Sequence, residues 1–175
     1  MITKEMVGHI KDTLNSLTQG KNENFRKNEN ATSAPEKGIL IVLTGNGFSG
    51  ESFATNNQIL ASSTVIGTTE EVFKNDSANK TIDVINIPYS ETISVVDSGE
   101  ATGFAIVQVE QGDLVLKEIT GSDANATLWK KYIINTGSDV NVSNYKVLFS
   151  GDLASNQIIQ KDNSFSLSNI KITFN

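Results

Sequence analysis

From Gly38 onward the chain is written in short runs rich in Ile, Val, Phe and Thr, punctuated by Gly, Asn, Asp and Ser. β-branched and aromatic side chains suit a pleated surface, and the small polar residues between runs bond their own backbone in turns. The runs at 38–44, 58–66, 81–87, 91–97, 102–109, 113–120, 128–134, 139–149 and 165–174 read as strands, the eighth broken near Asn144. Eight to ten strands with no second helix of useful length predict an all-β domain over 38–175, an antiparallel sandwich or small barrel.

Two local features sharpen that expectation. The turn Glu110-Gln111-Gly112-Asp113 places a glycine where positive φ is commonly needed, so 102–109 and 113–120 are expected to pair as a hairpin. In the last run Phe165 and Leu167 occupy one phase and Ile170, Ile172 and Phe174 the other. A period-two element changes phase only through a bulge or break, expected near Ser168-Asn169.

The front of the chain obeys a different period. Ile2, Met6, Ile10, Leu14 and Leu17, with Val7 alongside, recur at spacings of three and four and form one helical stripe within 1–19, with Gly20 as a stop. An isolated helix of this length is marginal in water, so the stripe must bury against the β body or a neighbouring subunit. Residues 20–37 are almost wholly polar, lack periodicity and read as a linker or extended arm, with Phe25 its one large apolar group.

Composition narrows the function. Without cysteine there are no disulfides or thiolate metal sites, as fits a reducing cytosol. The start Met1-Ile2-Thr3-Lys4-Glu5 is unlike a signal peptide, and no apolar stretch nears the roughly 20 residues a bilayer requires, so neither secretion nor a membrane is expected. A net charge of −6 argues against nucleic acid, whose affinity comes from clustered Lys and Arg. Residues 38–175 carry eight basic and fifteen acidic side chains, so the acidity belongs to the body.

Catalytic patterns are sparse. The single histidine, His9, sits on the helix, which excludes a three-His zinc site and gives no triad partner of convincing spacing. Gly45-Asn46-Gly47-Phe48-Ser49-Gly50 matches Gly-x-Gly-x-x-Gly after a strand, but little helical pattern follows and no βαβ repeat appears. It reads as a loop, with no cofactor. Asp97, Glu100, Glu110, Asp113, Asp123, Asp139 and Asp152 fall mostly at strand ends as solvated carboxylates, and no calcium loop is present. Asn79-Lys80-Thr81 and Asn125-Ala126-Thr127 are products of an Asn-rich composition. Trp129 reads as core, interface anchor or sugar platform.

The run from Ser98 to Val109, Ser-Gly-Glu-Ala-Thr-Gly-Phe-Ala-Ile-Val-Gln-Val, followed by Gly112-Asp113-Leu114-Val115-Leu116, resembles a pattern of small bacteriophage and prophage structural proteins. In these a Gly-Ala-Thr-Gly-like strand leads to a Gly or Asp turn. The resemblance continues through Gly137-Ser138-Asp139-Val140-Asn141-Val142-Ser143, the closing run 166–174, and the layout of a leading helix before a β body. The chain departs from it in the longer polar arm and around 121–137.

What the resemblance implies is a non-enzymatic virion protein, assembled in the host cytoplasm: a capsid cement or decoration subunit, or else a connector, tail or fibre subunit. Its partners would be the major capsid protein or other virion proteins and further copies of itself, a homotrimer being favoured. Met6, Val7, Ile10, Leu14, Leu17, Phe25 and Trp129 are the candidate contacts, and removal of residues 1–37 is expected to leave a folded β body. A glycan-binding module or surface adhesin using Trp129 is the reading from another class.

Overall fold

The structure is a computed structural model that describes residues 1–18, 37–63, 72–76, 78–84, 94–95, 97–110, 114–119, 129–134, 141–161 and 170–175. Among the described residues the helix α1 (Lys4–Thr18) is followed by ten strands: β1 (Lys37–Thr44), β2 (Ile59–Ser62), β3 (Phe73–Asp76), β4 (Thr81–Val84), β5 (Ser94–Val95), β6 (Gly99–Glu110), β7 (Leu114–Ile119), β8 (Trp129–Ile134), β9 (Lys146–Ile159) and β10 (Lys171–Thr173). They form a five-stranded sheet in the order β5-β2-β1-β6-β9, a three-stranded sheet in the order β10-β4-β3, and a β7-β8 ribbon, all antiparallel. The fold is mostly β with one N-terminal helix.

The first strand organises the molecule because its Ile39-Leu40-Ile41-Val42-Leu43 has no polar phase, and all five are buried. A strand that is apolar on both faces must be covered on both. Leu40 and Val42 point into a cluster with Phe53, Ile59, Val107 and Tyr145, where Phe48 stacks on Phe53 at a centroid distance of 4.5 Å. Ile39 and Ile41 point the other way, into a cluster shared with the three-stranded sheet and the helix.

That second cluster joins parts distant in sequence. Val7 and Leu14 of α1 meet Ile39, Ile41, Val72, Phe73, Ile82, Ile106, Ile172 and Phe174. Thr3 caps the helix by accepting the Met6 amide on its Oγ1 at 3.2 Å. Asn15, buried on the same face, holds β3 through its carboxamide. The Ile2 amide donates to the Asn175 carbonyl at 3.1 Å, so residues at both ends of the described fold lie side by side.

Three expectations change. Strand β6 does not form a hairpin with β7, since β1 and β9 occupy its two edges, and β7 pairs with β8 in register from Leu114↔Ile134 to Ile119↔Trp129. The strand beyond the Val142–Asn144 turn does not stop at 149 but runs to Ile159, and β3 was not anticipated. Nor is α1 detached from the β body. Removing it would uncover Ile41, Phe73 and Ile82 to water, so a truncated chain loses part of its core rather than an accessory. The arm at 20–36, the turn at 111–113 and the phase change at 168–169 lie outside the described residues.

Candidate functional site

The apolar stripe of α1 divides by depth. Val7 and Leu14, two turns apart, sit at the bottom and are buried in the chain's own core. This corrects the expectation that they grip another subunit. Ile10 and Leu17 are half-buried on the flank, and Met6 remains 49% exposed. The structure thus separates candidates that the periodicity had grouped.

Beside that flank runs an open groove of about 340 Å³, lined by Met6, Ile10, Leu14 and Leu17 on the helix and by Leu148 and Phe149 on β9. Adjacent strand residues normally face opposite sides of a sheet, and a groove wall made of Leu148 and Phe149 together needs a cause. The ladder supplies it: Ile106↔Phe149 is followed by Val107↔Val147, so Leu148 is an extra residue, a β-bulge. Val147 packs into the first cluster, whereas Leu148 and Phe149 both join the second. Phe149 is locked there by tilted rings, Phe104 at 5.9 Å and Phe174 at 5.1 Å between centroids.

Sequence reasoning missed Leu148 and Phe149 as groove residues. Regular alternation assigns Val147 and Phe149 to one face, and only the unbroken apolar triplet Val147-Leu148-Phe149 hinted otherwise. His9 also borders the groove but is exposed, its Nε2 at 3.8 Å from Glu5 Oε1 one turn earlier. Phe25 lies outside the described residues. The backbone of Trp129 opens β8 opposite Ile119, while its side chain lies outside them.

The glycine-rich loop has a structural explanation. Asn46, Gly47 and Gly50 have positive φ, and the loop is followed by a 3-10 turn at Asn56–Gln58 rather than by a helix that could receive a phosphate. A small polar cleft of about 140 Å³ lies between this loop and β6 and β9, edged by Ser49, Thr102, Ser150 and Asp152. The Ser150 hydroxyl is already engaged, donating to the Gly50 carbonyl at 2.6 Å.

The described carboxylates do not converge. Glu100 accepts from Asn156 Nδ2 at 2.9 Å, Asp97 accepts from the Ser98 amide at 2.8 Å, and Asp152 is exposed. Among the described residues no three metal-ligating side chains gather, and no helix is long and apolar enough to cross a membrane. Asn79 lies in the β3–β4 turn, where its Nδ2 donates to Asp76 Oδ2 at 2.7 Å. Asp113, Asp123, Asp139 and Asn125 lie outside the described residues. Comparison with protein-family models, curated proteins and solved structures finds no match for this chain.

Proposed function

We propose that this chain is a non-enzymatic structural subunit of a bacteriophage virion, a cement or decoration protein that stabilises the head. The observation that carries the reading is the apolar groove between α1 and β9, open among the described residues and lined by Met6, Ile10, Leu17, Leu148 and Phe149 beside a well-filled core. Supporting it are the likeness of residues 98–116, 137–143 and 166–174 to small phage structural proteins and the leading-helix layout. The two sheets are read as the layers of a sandwich, the body that sits on the shell.

In this reading the groove receives an apolar segment of the major capsid protein, and the polar arm at 20–36 runs over neighbouring capsid subunits with Phe25 as its anchor. Ordering an arm costs conformational entropy, which the apolar contacts must offset. Many such contacts per particle would together raise the resistance of the shell to bursting.

Truncation is a poor test, because α1 carries part of the core. The better one adds purified full-length protein to particles lacking it and counts copies by imaging. Wild type is expected at hundreds of copies per head, and a Met6→Glu, Leu17→Glu double variant at about a tenth of that occupancy, since a charge buried without a partner is strongly disfavoured. Unchanged occupancy of the variant refutes the groove. About a dozen copies or fewer, at a vertex, would move the chain to a connector or tail, and absence from particles would end the virion reading.

A further inference from the structure

We infer that the polar cleft beside the glycine-rich loop is a binding site for the terminal pyranose of a glycan, a neutral ring with adjacent hydroxyls. The inference does not rest on the virion reading and uses neither the apolar groove nor Trp129. It begins from the register of three strands. Thr44 pairs with Gly103 and Gly103 with Asp152, so these residues form one row across β1, β6 and β9 and share a face of the sheet. The next row on that face is Val42, Ala105 and Ser150, and Val42 and Ala105 belong to the first apolar cluster. Core packing therefore ends where the side chains begin to carry oxygen.

Gly103 leaves the middle of the row open. A Cβ there would stand 2.7 Å from the Gly151 carbonyl oxygen and 3.0 Å from Thr44 Oγ1, so no side chain separates Thr44 from Asp152. The Cα atoms of those two residues are about 10 Å apart, two strand spacings. Thr44 is only 2% exposed, yet its hydroxyl makes no hydrogen bond among the described residues. A buried hydroxyl left unpaired costs stability, and one that lines a cleft can be satisfied from it. At the rim Asp152 is exposed and makes no ion pair among the described residues. The bond from Ser150 to the Gly50 carbonyl, at 2.6 Å, ties the loop to β9 and fixes the width between them.

The chemistry of the lining selects the occupant. Thr44, Ser49, Thr102, Ser150 and Asp152 all end in oxygen, with one negative charge and no side-chain nitrogen among them. An anion is repelled. A calcium ion wants about six or more oxygens around it, whereas one wall here is the ring of Phe48, held by its stack on Phe53. A pyranose meets both demands. The carboxylate accepts from two adjacent hydroxyls, the Thr44 hydroxyl at the floor bonds a third, and ring C–H groups rest on the phenyl ring. The cleft, about 140 Å³, takes one ring and opens to solvent at the exposed Ser49, Thr102 and Asp152, where the rest of a glycan can leave.

The test is an NMR titration of the full chain, following backbone amides. The probes are glucose, galactose, mannose and N-acetylglucosamine, each free and as its methyl pyranoside, with calcium chloride and sodium phosphate as rivals. At least one methyl pyranoside is expected to give saturable shifts confined to the amides around Ser49, Gly103 and Asp152, with Kd about 1 mM for so small a ligand. Asp152→Asn should raise that Kd about tenfold, because an amide offers one accepting oxygen and no charge. Thr44→Val should raise it about threefold without lowering the urea midpoint, since the hydroxyl it removes has no partner among the described residues. Silence with every methyl pyranoside, binding of a free sugar alone, or saturation by calcium or phosphate instead overturns the inference. So does an Asp152→Asn variant with unchanged Kd, or a Thr44→Val variant that loses stability and binds as before. None of these variants touches Met6 or Leu17, so failure here is separable from failure to bind shells.

Discussion

The side chain of Asn15 bonds the backbone of Phe73 from both sides, its Nδ2 donating to the Phe73 carbonyl at 2.7 Å and its Oδ1 accepting the Phe73 amide at 2.9 Å. The same oxygen accepts the Val72 amide at 3.2 Å. A helix residue thus does for the start of β3 what a neighbouring strand would do, and both residues are buried. Replacing Asn15 by Leu keeps the volume but leaves buried backbone groups unpaired. The expected cost is about 2–4 kcal/mol by urea unfolding, larger than for an ordinary surface change.

A gain is expected at the other end of the same helix. Gly8 lies inside α1, where glycine is about 1 kcal/mol worse than alanine. An added Cβ would have Asn75 Nδ2 at 3.9 Å as its nearest neighbour, an ordinary contact. Gly8→Ala should raise stability by about 0.5–1 kcal/mol, visible as a higher urea midpoint with unchanged slope.

Two glycines of the loop after β1 should respond differently to alanine. At Gly45 a Cβ would lie 2.5 Å from the Glu100 carbonyl oxygen, a backbone atom that cannot step aside without breaking the sheet. Gly45→Ala is expected to cost about 2 kcal/mol or more. At Gly47 nothing lies within 4 Å, and only its φ of 78° resists a side chain. Gly47→Ala should cost about 1–2 kcal/mol, the penalty of a left-handed conformation. Equal losses at the two sites would contradict the close approach at Gly45.

Acid should weaken the β3–β4 turn. The Asp76 carboxylate accepts from Asn79 Nδ2 and from the Ala78 amide, and these bonds hold its pKa below the ordinary carboxylate value. A group whose folded pKa is depressed binds protons more readily when unfolded, so its contribution is present above the unfolded pKa and lost as pH falls through the folded one. Asp76→Ala should therefore differ from wild type at neutral pH, with the gap closing on acidification. Titration of the Asp76 carboxyl carbon by NMR should give a midpoint below that of the unfolded chain.

Much of this architecture can be read from residue patterns, and the failures have physical causes. The uninterrupted apolar run of β1, the helical stripe and the break at Val142–Asn144 are local signals, carried by side chains at fixed spacing. Strand partnership is not local: Gly112 makes a turn plausible, but β6 has two edges and β1 and β9 already hold them. In the same way Gly151-Asp152 looks like a turn and instead lies mid-strand, opposite Phe104 and Gly103. Gly151 is needed there because a Cβ would meet the Phe104 ring at 2.8 Å. Periodicity groups Met6, Val7, Ile10, Leu14 and Leu17 on one side of α1, but how far that side sinks depends on the sheet beneath it. The groove was illegible for the same reason, since one extra residue at Leu148 builds half of it.

Val7 and Leu14, near the beginning of the described fold, close onto Ile172 and Phe174 near its end. A chain emerging from the ribosome can lay down β1 and β2 early, yet the pocket that receives the helix stays open until Ile172 and Phe174 have emerged. The helix must then either wait in solvent or be shielded by a chaperone during synthesis. Folding of this half should await the emergence of residues 170–175, and nascent chains stalled before residue 170 should remain sensitive to proteases at α1.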